Sequence, residues 1–199
     1  MKKIINLKPL DYYTQRNNTL YPNSACMPTA RAMFYHGNNI AFNNPSKLSD
    51  DDYFMSLLRS KEAYDFAKKK YPTLMDAGYQ PNEIHGMYSS FLDLKVVGKR
   101  VSDFLTDLTY KDIINRMEKG EVIMTSGKFP EAGLIGHAFC IIGYINGAIG
   151  PALILADPWG DFRNNYRSKK GYSVLMTEYE FKIHVKPLQE LKWGHVINV

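Results

Sequence analysis

Four side chains in this sequence have the types and the order that an acyl-transfer site needs: Gln15, Cys26, His137 and Asp157. A cysteine attacks only as its thiolate, and Cys26 stands where a thiolate is favoured. It sits at the junction between a polar, turn-rich stretch and an apolar one in which Ala30, Met33 and Phe34 recur at helical spacing. Pro28 suits the first turn of that helix, where its missing N–H leaves nothing unpaired. The positive end of the helix dipole then faces the sulfur. The competing reading of Cys26 is a small buried hydrophobe, the usual fate of a free cysteine.

His137 opens an apolar run that ends at Ile145, and Asn146-Gly147 is a strong hairpin signal. Ala152 to Ala156 reads as the return strand, ended by Asp157-Pro158-Trp159-Gly160. A hairpin centred on position 147 makes the start of its first strand the neighbour of the end of its second. His137 and Asp157 therefore meet at one end of a sheet. Gly150-Pro151 can shift that register, and a slip of one residue would turn the two side chains to opposite faces. A carboxylate beside an imidazole fixes its tautomer, the imidazole takes the thiol proton, and Gln15 is the candidate donor to the developing oxyanion. Singly, His137 reads as a strand-end histidine and Asp157 as a turn former. The joint order Gln, Cys, His, Asp favours the chemical reading.

The elements that must position these residues follow from pattern. Ile4 to Thr14 reads as an extended lead-in. A second helix begins after Ser49, a candidate cap, with Asp50, Asp51 and Asp52 in its first turn as a solvated helix start and Tyr53, Phe54, Leu57 and Leu58 on its apolar face. Helical character continues through Tyr64 and Ala67 to Lys70. Pro81 opens a further helix, Asn82 to Leu94, with Ile84, Met87, Tyr88, Phe91 and Leu92 on one side, and Lys95-Val96-Val97 reads as a short strand. Thr109 and Asp112 make a capping box for the next helix, Gly120 its left-handed stop, and Glu121 to Thr125 a core strand. The first two thirds thus read as mostly helical and the last third as mostly strand.

Composition narrows the classes. The 199 residues are 45% hydrophobic and 13% aromatic, enough for one domain, 1–199, with a packed core. A net charge of +5 suits an anionic surface, but no dense Lys/Arg cluster with interleaved aromatics suggests nucleic acid. Two cysteines make no disulfide framework and imply a reducing compartment. No apolar run approaches the ~20 residues of a membrane span, and none at the N-terminus forms a secretory h-region, so synthesis in the cytoplasm is expected. The Asp triplet lacks the spacing of a calcium loop, and Cys26, His137 and Asp157 are too scattered for a zinc signature. No phosphate loop or dinucleotide fingerprint is present, so no metal and no cofactor are expected. His195 in Gly194-His195-Val196 copies Gly136-His137-Ala138 superficially; it and His36, His85 and His184 read as structural or surface residues, and Cys140 as core.

Gln15-Arg16-Asn17-Asn18 leading to Cys26, then Pro28-Thr29 and Ala32-Met33, resembles the first motif of the C39-like cysteine peptidases of the papain-like superfamily. Gly136-His137 with Ile141-Ile142-Gly143-Tyr144, Asp157-Pro158-Trp159-Gly160, and the closing Trp193-Gly194-His195-Val196-Ile197 resemble its later motifs in order. The resemblance implies an α+β, papain-like fold, its helical N-terminal part packed on an antiparallel sheet formed mainly by the C-terminal third. It also implies Cys26 as nucleophile, His137 as base, Asp157 as orienter and Gln15 as oxyanion donor. Asn17, where relatives often have an acidic residue, and Met27, where a small or polar one is common, depart from the pattern without removing a catalytic group. The family includes phage wall enzymes, so the expected substrate is a peptide, foremost in bacterial peptidoglycan, cut by an endolysin. A protein-directed protease or acyltransferase and a non-catalytic binding module are the alternatives.

Overall fold

The computed structural model describes residues 2–69, 72, 82–130, 133–147, 150–185 and 194–198. At its centre is helix α1, Cys26–Gly37, with ten of its twelve residues buried. A helix that is apolar nearly all round must be enclosed rather than laid on a surface. Met27, Ala30, Met33 and Phe34 pack against Ala138, Cys140 and Ile142 of the sheet, while Tyr35 meets Phe54 from a second helix.

That second helix, α2 (Asp50–Leu58), and α3 (Lys61–Lys68) are separate, because the chain breaks at Arg59 and Ser60 caps the next turn through the Ala63 N–H. The expected extension to Lys70 and the Pro81 start lie outside the described residues, as does the Ile84 side chain. Helix α4 (Asn82–Leu92) runs on into a π-helical turn at Asp93–Val97, where a strand was expected. Asp93 explains the difference. Its buried carboxylate accepts from Tyr35 Oη, from the Val101 and Ser102 N–H groups and from Arg31 on α1, so this stretch is coiled against α1 and not extended. Gly98, at φ 84°, ends the turn. Helix α5 (Tyr110–Glu118) has the Thr109–Asp112 capping box in both directions, and α6 spans Glu178–His184.

Among the described residues, seven antiparallel strands form one sheet: β1 (Lys2–Ile5), β2 (Ser102–Leu105), β3 (Ile123–Phe129), β4 (Leu134–Gly147), β5 (Gly150–Ala156), β6 (Tyr172–Thr177) and β7 (Gly194–Ile197). The order is β2-β7-β3-β4-β5-β6, with β1 also paired to β4. The expected extended lead-in is thus a strand followed by a short 3-10 turn at Pro9–Asp11. Phe139, Ile141, Leu153 and Leu155 form a second apolar layer on the face away from α1. Fold class is α+β, as expected.

The hairpin differs in detail from its sequence reading. β4 begins before His137, and Asn146 and Gly147 pair with Pro151 and Gly150, so both belong to the ladder and not to a turn; residues 148–149 lie outside the described residues. Between Ile141 and Gly143 the register shifts by one, leaving Ile142 as a bulge whose carbonyl is taken by the Asn6 N–H. Extending the Cys140↔Ala156 pairing one step places Phe139 opposite Asp157, with His137 two residues on and on the same face. Without the bulge the parity would be wrong.

Candidate active site

Cys26 is the first residue of α1 and is half-buried. His137, buried on β4, is within hydrogen-bonding reach of its thiol. His137 Nε2 lies 2.6 Å from Asp157 Oδ1, so the other ring nitrogen, Nδ1, is left for the sulfur. Burial pushes the Cys26 thiol up, but the bond and charge of His137, with the Ala138 and Met27 N–H groups, outweigh it and hold the thiol below its ordinary 9.0. For His137, burial acts to lower the pKa. The Asp157 carboxylate and the Cys26 sulfur overcome this and lift it to about 10. Each group therefore favours the charged form of the other.

Asp157 is fully buried and fully engaged. Oδ1 accepts from His137 and, at 2.8 Å, from the Trp159 N–H; Oδ2 accepts from the Tyr166 hydroxyl at 3.1 Å. Its own N–H donates to Gly171 O at 2.9 Å and its carbonyl accepts from Tyr12 Oη at 2.9 Å. Gly171 is required there: a Cβ on it would stand 1.9 Å from the Asp157 carbonyl oxygen. Tyr166 comes from the loop after the 3-10 turn Phe162–Asn164 and has φ 58°. No pattern in the sequence singles it out.

Gln15 is buried in a short 3-10 turn, Gln15–Asn17, pinned to the Asp157-Pro158 turn by its own N–H to Pro158 O, 3.0 Å, and by Thr14 Oγ1 to the same oxygen. Its Nε2 donates to Pro22 O at 2.7 Å, which leaves one amide N–H unused, and its Oε1 has no partner among the described residues. So the structure hydrogen-bonds His137 to Asp157, brings Cys26 beside His137, and holds Gln15 against the turn, Pro22–Ser24, that precedes the cysteine. Arg16 braces the arrangement: its Nε donates to Trp159 O at 2.6 Å, its Nη2 to Tyr166 O at 3.0 Å, and its guanidinium stacks on the Trp159 ring at 4.4 Å. The adjacency of Arg16 to Gln15 and of Trp159 to Asp157 was the available signal.

The Asp triplet is not the solvated helix start expected of it. Asp52 accepts from Thr19 N, Thr19 Oγ1 and Leu20 N, at 2.7–2.9 Å, and so fixes the loop between Gln15 and Cys26. Asp50 bonds Tyr13 Oη and His36, while Asp51 is buried beside Thr29. Ser49 precedes the helix, but its side chain does not cap the backbone. Cys140 is buried with its thiol on Ala30 O, and burial raises its pKa well above the ordinary value. His195 is buried on β7 beside Ser89, away from the row; His184 bonds Lys128 O and stacks on Phe129. Among the described residues no cluster of three metal-ligating side chains occurs, and no helix is long and apolar enough to cross a membrane.

The fold around this row is papain-like. A chain from the structural work on limited antibody cross-reactivity between the mite allergens Blo t 1 and Der p 1 superposes with a TM-score of 0.50 at 12% identity, covering 98% of this chain and 68% of that one. Der p 1 is a papain-like cysteine protease, and likeness at this identity shows the fold. No protein-family model and no curated protein sequence matches the chain.

Proposed function

We propose that the chain is a cysteine peptidase of C39-like type, and that its substrate is a peptide of bacterial peptidoglycan, as for a phage-type endolysin. The observation that carries the reading is the Cys26–His137–Asp157 row, with both ionisable partners displaced towards thiolate and imidazolium. In the reaction the Cys26 thiolate attacks the amide carbonyl, the His137 imidazolium gives its proton to the departing amine, and a thioester forms. Water, deprotonated by the now neutral His137, attacks the thioester and releases the acid and the thiol. The oxyanion of each tetrahedral intermediate is met by the Cys26 N–H, free at the first turn of α1, and by the unused N–H of Gln15.

The wall substrate is supported by the +5 charge, which attracts the domain to an anionic polymer, and by the motif resemblance. The test is amine release from purified cell walls alongside a casein control. The wild type releases amines from a wall and Cys26→Ala does not. Cleavage of casein alone would move the substrate to proteins while leaving the chemistry in place.

A further inference from the structure

The loop between Gln15 and Cys26 carries an aromatic residue in an uncommon backbone state. Tyr21 has φ 50° and ψ 52°, the left-handed region that bulky side chains rarely adopt. The turn that follows is fixed from both sides, by Ser24 N to Tyr21 O at 2.9 Å and by Gln15 Nε2 to Pro22 O. Yet the side chain so presented goes into no core: Tyr21 is 55% exposed. Arg59, in the cap of α2, lies over its ring with the guanidinium carbon 4.6 Å from the centre, and Arg59 Nη2 reaches Ser24 Oγ at 3.4 Å.

Among the described residues no carboxylate pairs with Arg59. The acids of its own helix are turned elsewhere, Asp50 to Tyr13, Asn44 and His36, and Asp52 to Thr19 and Leu20. An exposed guanidinium is thus held over an exposed ring, with N–H groups to spare, near the proposed nucleophile. Ser24 is two residues from Cys26, so their Cα atoms are within about 7 Å, and the guanidinium is roughly two to four residues away along an extended peptide.

We infer that Tyr21 and Arg59 form a substrate subsite that takes a carboxylate two to four residues from the scissile bond. The guanidinium fork matches a carboxylate bidentately, and stacking on Tyr21 removes much of the rotamer freedom that binding would otherwise have to freeze. The strained backbone at Tyr21 is what turns the ring outward to do this. The subsite rests on the peptidase reading, but its test need not use turnover.

The test is fluorescence anisotropy on the Cys26→Ala protein. The probes are labelled alanine hexapeptides carrying Glu or Gln at each position in turn, each with a free or an amidated C-terminus. At one or two adjacent positions the Glu peptide is expected to bind about three- to tenfold tighter than the Gln peptide, above the few-fold effect of an ordinary exposed ion pair because the fork is preorganised. Cys26→Ala/Arg59→Gln removes the preference, Arg59→Lys keeps part of it, and added salt weakens it. If the free C-terminus instead of Glu gives the effect, the carboxylate is terminal. Equal binding of Glu and Gln peptides with either terminus, a preference that survives Arg59→Gln in a variant with unchanged Tm, or no binding by any probe overturns the subsite. Wall cleavage by the wild type with no carboxylate preference sinks the subsite alone; a carboxylate preference with an inactive wild type sinks the peptidase reading alone.

Discussion

Replacing Asp157 by Asn isolates the charge of the site from its geometry. The carboxylate uses Oδ1 for two donors, His137 Nε2 and the Trp159 N–H, and Oδ2 for one, the Tyr166 hydroxyl. An asparagine oxygen in the Oδ1 place keeps the first two, and its Nδ2 donates to the Tyr166 oxygen, so the imidazole tautomer is preserved. What goes is the negative charge. A hydrogen bond to a charged group contributes about 1.5–3 kcal/mol and a neutral one about 0.5–1.5, a loss of about 1–1.5 kcal/mol. That is about one unit of pKa and roughly a five- to tenfold fall in turnover near neutrality. The wild type should show a pH–rate profile with an acid limb below 9.0, from Cys26, and an alkaline limb near 10, from His137. His137 is raised above its unfolded value, so the stability its charge contributes is full below 6.5 and lost as pH rises through about 10. Asp157→Asn should bring the alkaline limb down by about one unit. The assay is amine release from wall peptide between pH 5 and 11. An unmoved alkaline limb, or a loss near the ~10⁴-fold known for a wrong tautomer, would refute the reasoning.

Other expectations follow from the same contacts. Iodoacetamide should label Cys26 rapidly below pH 9 and Cys140 only on unfolding, read by mass spectrometry over a pH series; comparable labelling of both would contradict the helix-start thiolate. Gln15→Ala should lower kcat roughly ten- to a thousand-fold with little change in KM, and an unchanged kcat would leave the oxyanion to backbone donors. Asp52→Ala removes the charged acceptor of the Thr19 and Leu20 donors and should destabilise by about 1.5–3 kcal/mol in all, measured by urea unfolding. For Asp52, burial raises the pKa but the bonds from Thr19 and Leu20 hold it below 3.8, so its stabilisation is present above that pH and disappears as pH falls through the folded value. Gly171→Ala should cost folding outright, since the Asp157 carbonyl occupies the space of the new methyl; a soluble variant with native Tm would show that the two backbones can separate.

The sequence by itself determined the local features. The start of α1 at Cys26 follows from an apolar period beginning at a turn, the α5 boundary from Thr109 and Asp112, and the approach of His137 to Asp157 from two apolar runs joined by a turn. Such signals lie within a few residues of what they specify, where backbone sterics and capping act. Tertiary structure decided the rest. The Ile142 bulge sets the face on which His137 meets Asp157, and its carbonyl accepts from the N–H of Asn6, the residue after β1, far away along the chain. The coil at Asp93–Val97 has strand-like residues and is held helical by Arg31 and Tyr35 of α1. Three adjacent aspartates look like a solvated helix start until Thr19 and Leu20, more than thirty residues earlier, donate to one of them. Tyr166 and Arg16 complete the surroundings of Asp157 from 9 and 141 residues away, Tyr166 through its hydroxyl and Arg16 through Trp159 and the Tyr166 carbonyl. A buried carboxylate takes whatever donors the folded chain brings to it, and their separation along the chain leaves no periodicity to read.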